Sequence, residues 1–144
     1  MNVFIIGTPY ETAQALDKKR LNKQIIECRQ ILKAIDGNTK SWAKHPCTLQ
    51  YGHHRAWLWR YLNCLECFRN GAIRAAEGYS ALADLCRPSF QTPSFFDQMK
   101  RRLYTKDPVH YAQWTDLGTS DVNWYWSPEE DTYIYYRNGK RVEL

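Results

Sequence analysis

Apolar residues recur along residues 17–37 at the spacing of a helix that buries one face. The intervals between them are four, three, four and three residues, and the positions are Leu21, Ile25, Cys28, Leu32 and Ile35. Gly37 follows, and glycine often ends a helix. The pattern predicts one amphipathic helix whose apolar stripe packs against a core.

The segment before this helix changes character at Gly7. Residues 1–6 (MNVFII) are apolar enough to predict a short extended segment. Thr8 and Glu11 then stand at the spacing of a capping box, and Pro9 occupies the first helical position. The sequence therefore predicts a helix that begins at Thr8, with or without a bend near Asp17.

Further helices are predicted in the middle of the chain. A long aromatic helix begins near Thr48, with Trp59 and Leu62 expected in the core, and residues 69–71 (RNG) end or interrupt it. Residues 72–86 and a segment from Thr92-Pro93 through Leu103 are also predicted to be helical.

The tail is rich in residues that favour strands. The segments VNWYW and TYIYY precede Arg137–Lys140 (RNGK), which is typical of a type I′ hairpin turn. The predicted fold is mainly α, a single-domain helical bundle with a short N-terminal extended segment and a small C-terminal β-hairpin or meander. We expect a helical body over 1–126 and a hairpin extension over 127–144 packed on it.

Composition limits the function classes. The 144 residues carry a net charge of +5, which favours a polyanionic partner, nucleic acid first. No apolar run approaches the roughly 20 residues that span a bilayer, so we expect no membrane partner and a cytoplasmic location. Five Cys fit reduced thiols better than a disulfide framework. Oligomeric state is left open.

The predicted amphipathic helix carries one carboxylate among cations. At 100° per residue, one arc beside the apolar stripe holds Arg20, Lys23, Glu27 and Gln30. Because Lys23 and Glu27 stand at i and i+4, one interpretation is a surface ion pair worth a few tenths of a kcal/mol. The other interpretation is a carboxylate at the rim of a cleft, with cations that bring phosphate close.

Two further stretches combine basic and aromatic residues. His45 precedes a predicted helix and is a candidate acid, base or helix cap. His54 and Arg55 lie in GHHRAWLWRYL, where aromatic residues either form core or stack on bases. The basic run KRRLYTK is either a solvated face or a phosphate-binding patch, and its candidate contacts are Arg101, Arg102 and Lys106.

Metal and nucleotide-hydrolysis chemistry find no support in the sequence. Cys64 and Cys67 form a CxxC inside a helical pattern, whereas structural zinc needs four ligands on a turn or knuckle. We therefore expect no metal and no organic cofactor. The motifs of P-loop enzymes, serine hydrolases and dinucleotide-binding domains do not occur.

Several segments together resemble a known family. In order, they are MNVFII, LDKKRLNKQIIECRQILKAI, HPCTLQY, KRRLYTKDPVHYAQW and VNWYW. They resemble the pyrimidine-dimer DNA glycosylase family, the phage endonuclease V type and its small bacterial and phage relatives. The resemblance extends from residue 1 to about residue 126.

The resemblance implies a helical body that binds double-stranded DNA and flips a nucleotide out of the stack. In the family the terminal amine attacks the sugar C1′, a Schiff base forms, the base leaves, and β-elimination cleaves the backbone. Glu27 matches the essential helix carboxylate, and Met1 supplies the amine here. Arg20 matches a His position and would contact phosphate or the flipped sugar.

The chain departs from the family pattern at three places. Asn2 opposes removal of Met1, while Ile26 and Gln30 stand where the family has Arg. These departures leave open which damaged or modified base is excised and whether the lyase step is retained, with Lys23 as a substitute nucleophile. Two other hypotheses remain: a non-catalytic DNA-binding protein on the same scaffold, and an interaction module whose Tyr-rich hairpin binds a partner protein.

Overall fold

The computed structural model describes residues 2–144, and its secondary structure is mainly helical with a small antiparallel sheet. The chain divides into two units, Met1–Pro88 and Ser89–Leu144, here called unit 1 and unit 2. The predicted fold class is confirmed. The predicted boundary at 126/127 falls inside a strand of unit 2, and the domain division stays a prediction.

Unit 1 contains five helices within the described residues. They are α1 Pro9–Ala15, α2 Lys18–Ile35, α3 Pro46–Tyr51, α4 Arg55–Arg69 and α5 Ile73–Asp84. The capping box predicted at Thr8 and Glu11 is present at the start of α1. The chain bends after Ala15, and Asp17 caps α2 through a bond from the Arg20 backbone N–H.

Helix α2 buries the stripe predicted from its sequence. Leu21, Ile25, Cys28 and Leu32 are buried and Ile35 is partly buried. The helix ends before Gly37, whose φ of 74° is a left-handed conformation that glycine adopts without strain. Helix α4 contacts α1, α2 and α5, so it forms the centre of unit 1.

The prediction of one long aromatic helix from Thr48 is wrong, because two helices, α3 and α4, occupy the region. The turn between them, Gly52–His54, contains a glycine of low helix propensity. The break changes which aromatic side chains point inward. Trp59 is 41% exposed, which contradicts its expected place in the core, whereas Trp57 is 1% exposed. Leu62 is buried as predicted.

Unit 2 contains a helix and a three-stranded sheet. Its elements are α6 Pro93–Lys106, a short 3₁₀ helix at Ala112–Trp114, and the strands β1 Asn123–Ser127, β2 Thr132–Arg137 and β3 Lys140–Val142. The sheet is an antiparallel meander in the order β1-β2-β3. Asn138 and Gly139 both have positive φ, as the predicted type I′ turn requires.

Alternation along the strands divides the aromatic residues of the sheet between two faces. Trp124 and Tyr133 contact the ring of Phe95, so their face packs on α6. Tyr125 lies on the opposite face and is 62% exposed. Within residues 2–144, no helix combines the length and the apolar content that a membrane crossing requires.

Candidate active site

Glu27 lies near the middle of α2, next to the apolar stripe. Its side chain is 12% exposed, so the carboxylate is largely shielded from solvent but not fully buried. Lys23, one turn earlier, places its Nζ 3.8 Å from Glu27 Oε1 and is itself 72% exposed. Because the pair is loose and the lysine is solvated, the pair contributes little to folding and leaves the carboxylate available for chemistry.

Gln24 fixes residues 2–4, which belong to the predicted extended segment, against the same helix. Its Nε2 donates to the backbone oxygen of Asn2 at 2.8 Å, and its Oε1 accepts from the backbone N–H of Phe4 at 2.6 Å. The side-chain amide therefore pairs with the extended segment as a neighbouring strand would. Gln24 and Glu27 are three residues apart, so both lie on one side of α2.

Two more bonds hold the extended segment in place. The hydroxyl of Tyr61, in α4, donates to the backbone oxygen of Phe4. Thr12, in α1, accepts the backbone N–H of Ile6 at 3.1 Å. Burial raises the pKa of Tyr61 well above its ordinary value, so the phenol stays protonated and keeps this donor role. The segment is thus bonded to three helices.

His45 caps α3 through its ring. The Nδ1 atom accepts the backbone N–H of Cys47 at 3.1 Å, so Nδ1 carries no proton and the neutral ring holds its proton on Nε2. Burial lowers the pKa of His45, whereas the charge of Glu27 acts in the opposite direction. His45 is therefore a neutral hydrogen-bond donor whose electrostatic environment includes Glu27.

Buried thiols line the interior side of this site. Cys28 follows Glu27, is fully buried, and has a raised pKa, first because of burial and then because of the charge of Glu27. Cys47 is buried and also contributes to that shift. The Cys28 thiol is therefore a poor nucleophile in this state. The polar groups of this region are the Glu27 carboxylate, the neutral His45 imidazole and the fixed Gln24 amide.

The remaining residues predicted as contacts in unit 1 have different surroundings. Arg20 is 22% exposed and places Nη1 3.1 Å from Oδ1 of Asp17. Arg55 forms a two-point ion pair with Asp36, with distances of 2.6 and 2.8 Å. Gln30 and His54 are partly buried, and His54 precedes α4 without capping it through its side chain.

The three predicted contacts in unit 2 do not share one environment. Arg101 donates to the backbone oxygens of Leu117 and Thr119. The Arg102 guanidinium lies 4.2 Å from the centre of the Trp124 ring, and Lys106 is exposed in the last turn of α6. Two of these three cations thus have structural contacts, and their role toward DNA stays a prediction.

Met1, the predicted amine donor, lies outside the described residues. Among residues 2–144, no three His, Cys, Asp or Glu side chains are grouped as metal ligands. Burial, followed by the charge of Cys67, raises the pKa of Cys64 to about 12.

Two residues near Glu27 and His45 were not predicted from the sequence. Gln24 lies within the apolar stripe of α2, four residues before Cys28, and is 2% exposed. A polar residue on a buried helix face needs a hydrogen-bond partner, so a glutamine within the apolar stripe of α2 could have indicated such a contact. The other is Trp42, whose ring contacts His45 edge-on at 5.1 Å between centroids.

Residues 1–68 match the family model described as pyrimidine dimer DNA glycosylase. The matched segment contains α1, α2 and α3 and nearly all of α4. It is shorter than the predicted range of the resemblance, which extended to about residue 126. No curated protein and no solved structure matched the chain. The resemblance to the pyrimidine-dimer DNA glycosylase family is therefore confirmed over residues 1–68, the part that carries Gln24, Glu27 and His45.

Proposed function

We propose that this protein is a DNA glycosylase that removes a damaged or modified base from double-stranded DNA. The observation that carries the proposal is the placement of Glu27 and Gln24 on one side of α2, with Gln24 bonded to Asn2. The proposal requires the amine of Met1 to reach the sugar from the end of the segment that Gln24 fixes against this helix. The family described as pyrimidine dimer DNA glycosylase supports DNA as the substrate.

The proposed nucleophile is the α-amino group of Met1. Such amines have ordinary pKa values near 7.7–8.0, so a useful fraction is neutral at physiological pH. The nitrogen lone pair forms a bond to C1′, and the bond between C1′ and the base breaks. The base leaves with the bonding electrons and takes up a proton. The substituted nitrogen then loses one proton and its lone pair forms the double bond to C1′. The bond between C1′ and O4′ breaks at the same time, O4′ takes up a proton, and the product is a protonated iminium.

Glu27 stabilises the positive charge that develops at C1′ and on the iminium nitrogen. Its low exposure strengthens that interaction, because little water competes for the carboxylate. The neutral ring of His45 donates a hydrogen bond from Nε2 to the departing base or to the sugar oxygen as the ring opens. In a lyase step, a base removes a proton from C2′ while the bond from C3′ to its phosphate oxygen breaks.

The central experiment uses duplexes that each contain one damaged or modified base, a pyrimidine dimer included. Base loss and strand scission are measured separately in single turnovers. Glu27→Gln should reduce base loss by roughly 100-fold or more while DNA binding changes little. Glu66→Gln is the matched control, since Glu66 is another partly exposed carboxylate of unit 1, paired with Arg29. Its base loss should stay near that of the wild type.

The nucleophile is tested separately by borohydride trapping on abasic-site DNA. One glycine added before Met1 moves the amine and should abolish the covalent adduct without weakening binding. An adduct that persists and disappears in Lys23→Arg would assign the nucleophile to Lys23. Tight binding without base loss on every duplex, in wild type and Glu66→Gln alike, would favour the non-catalytic DNA-binding protein.

A further inference from the structure

The loop between α2 and α3 presents a tryptophan beside the candidate site. Trp42 is 39% exposed, although tryptophan is among the side chains that gain most from burial. Its ring meets the ring of His45 edge-on, with centroids 5.1 Å apart. Its outer surface is therefore available for contact while its inner edge is fixed next to a residue of the site.

The backbone at Trp42 is held in an unfavourable conformation. Its φ is 67°, in the left-handed region that residues with large side chains rarely adopt. Among the described residues, the other non-glycine positions with positive φ are Asp131 and Asn138, whose residue types tolerate this region. Strain of this kind persists where the surrounding structure fixes it, and it is concentrated at functional sites.

Local hydrogen bonds fix this conformation. The backbone N–H of His45 donates to the oxygen of Trp42 at 3.0 Å, and the N–H of Ala43 donates to the oxygen of Lys40 at 3.3 Å. The residue that adopts the strained conformation is thus tied directly to the residue that caps α3. A bulky residue at this position costs backbone energy that a glycine would avoid.

Charge around the loop indicates what the exposed ring contacts. Lys40 and Lys44 flank Trp42 and are exposed, and no acidic residue occurs between Asp36 and Glu66. An exposed aromatic ring between cations is the combination by which proteins stack on unpaired bases while contacting the phosphate backbone.

We propose that Trp42 stacks on an unpaired base of the DNA next to the Glu27 site and thereby holds the duplex open there. This proposal rests on the proposed function for its substrate. The DNA duplex loses stacking energy when a nucleotide flips out of it. An aromatic ring that stacks on a base in or beside the gap compensates for part of this loss. The two lysines hold the phosphates on either side.

The test measures both stability and base unstacking in variants of the full chain. Trp42→Gly removes the ring and the backbone strain together, so its melting temperature should equal or exceed that of the wild type. Its affinity for a duplex with one stable abasic-site analogue should fall by roughly 5- to 100-fold. The fluorescence increase of a 2-aminopurine opposite the analogue should be lost. Trp42→Phe should restore most of both signals.

Trp59 provides a matched control. It is 41% exposed, lies in unit 1, and contacts Tyr79 edge-on at 5.7 Å, so it matches Trp42 in exposure and in its edge-on ring contact but lies in helix α4 and not in the loop beside His45. Trp59→Ala should leave affinity and 2-aminopurine fluorescence unchanged. Equal losses in Trp42→Gly and Trp59→Ala, or no loss in Trp42→Gly, would overturn the proposal.

The same experiment separates this proposal from the proposed function. If the wild type releases no base from any duplex but Trp42→Gly still loses the 2-aminopurine signal, the stacking role stands and the glycosylase proposal fails. If base release depends on Glu27 but Trp42→Gly keeps the fluorescence signal and the affinity, the enzyme stands and the stacking role fails.

Discussion

The two units differ in net charge. Residues 1–88 carry thirteen Lys and Arg against seven Asp and Glu, whereas residues 89–144 carry seven against eight. Unit 1 therefore holds the whole positive excess of the chain. It also holds Glu27 and the segment that matches the glycosylase family.

Unit 2 shows why a count of basic residues overstates a phosphate-binding surface. Its basic run KRRLYTK was a candidate patch, yet Arg101 bonds two backbone oxygens and Arg102 covers the Trp124 ring. Arg137 and Arg141 form ion pairs with Asp121 and Glu130. Unit 1 has ion-paired arginines as well, but its Lys23 is 72% exposed and pairs only loosely. Exposure and existing contacts decide which cations are available to DNA.

The largest difference between the units is expected when a buried glutamine is replaced in each. Gln24→Leu leaves the Phe4 N–H and the Asn2 oxygen without their partners, so the free energy of unfolding should fall by about 1–3 kcal/mol. Base release should fall by more than the loss of folded protein explains, because the extended segment is no longer held against α2, the helix that carries Glu27. Urea denaturation and single-turnover assays measure the two effects.

Gln98→Leu is the counterpart in unit 2. Gln98 is 7% exposed and accepts the Ser120 hydroxyl at 2.7 Å. Its loss should destabilise the protein by about 1 kcal/mol and leave base release by the folded protein unchanged. If both variants reduce base release equally, the assignment of the chemistry to unit 1 is wrong.

A smaller difference is expected between two cations. Arg101→Ala should lower the free energy of unfolding by about 1–3 kcal/mol, because two backbone oxygens lose a charged donor. Lys23→Ala should change stability by less than about 0.5 kcal/mol. It should reduce the slope of log affinity against log salt by about 1 if Lys23 contacts a phosphate.

The salt dependence is measured by titrating each variant with DNA at several salt concentrations. A slope that changes in Arg101→Ala and not in Lys23→Ala would place the phosphate contact in unit 2 and reverse the comparison.

The smallest effect is in the pH dependence of stability. Because burial lowers the pKa of His45 in the folded state, its contribution is present above about pH 6.5 and is lost as the pH falls through the lower folded value. His45→Asn keeps a capping residue but removes the titration. The wild type should therefore lose more thermal stability than this variant between pH 7 and pH 5.

Asp121 offers the comparison in unit 2. Its hydrogen bond from Arg137 lowers the pKa of the carboxyl from 3.8, so the contribution is present above that value and is lost only at more acid pH. The change in melting temperature between pH 7 and pH 5 should be the same for Asp121→Asn as for the wild type. Melting curves by circular dichroism over this range test both variants, and identical curves for wild type and His45→Asn would contradict the assignment.

The sequence by itself determined the features that depend on neighbouring residues. The capping box at Thr8 and Glu11, the stripe of α2, the cap at Thr92 and the type I′ turn at Asn138-Gly139 all involve groups within a few residues of one another. Their spacing therefore favours the local conformation without reference to distant parts of the chain. Glu27 also stood out, because a single carboxylate among cations is visible in the sequence.

The tertiary structure decided what lies together across long separations. Gln24 meets Phe4 across 20 residues and Tyr61 meets Phe4 across 57, and no periodicity encodes either contact. The break at Gly52–His54 exchanged the expected burial of Trp59 for that of Trp57, because a turn of three residues rotates every later side chain about the helix axis. The positive φ of Trp42 is likewise set by the loop that closes on His45. Local pattern predicted the helices and singled out Glu27, whereas packing bonded Gln24 of the same helix to Asn2 and Phe4 and brought His45 within the electrostatic influence of Glu27.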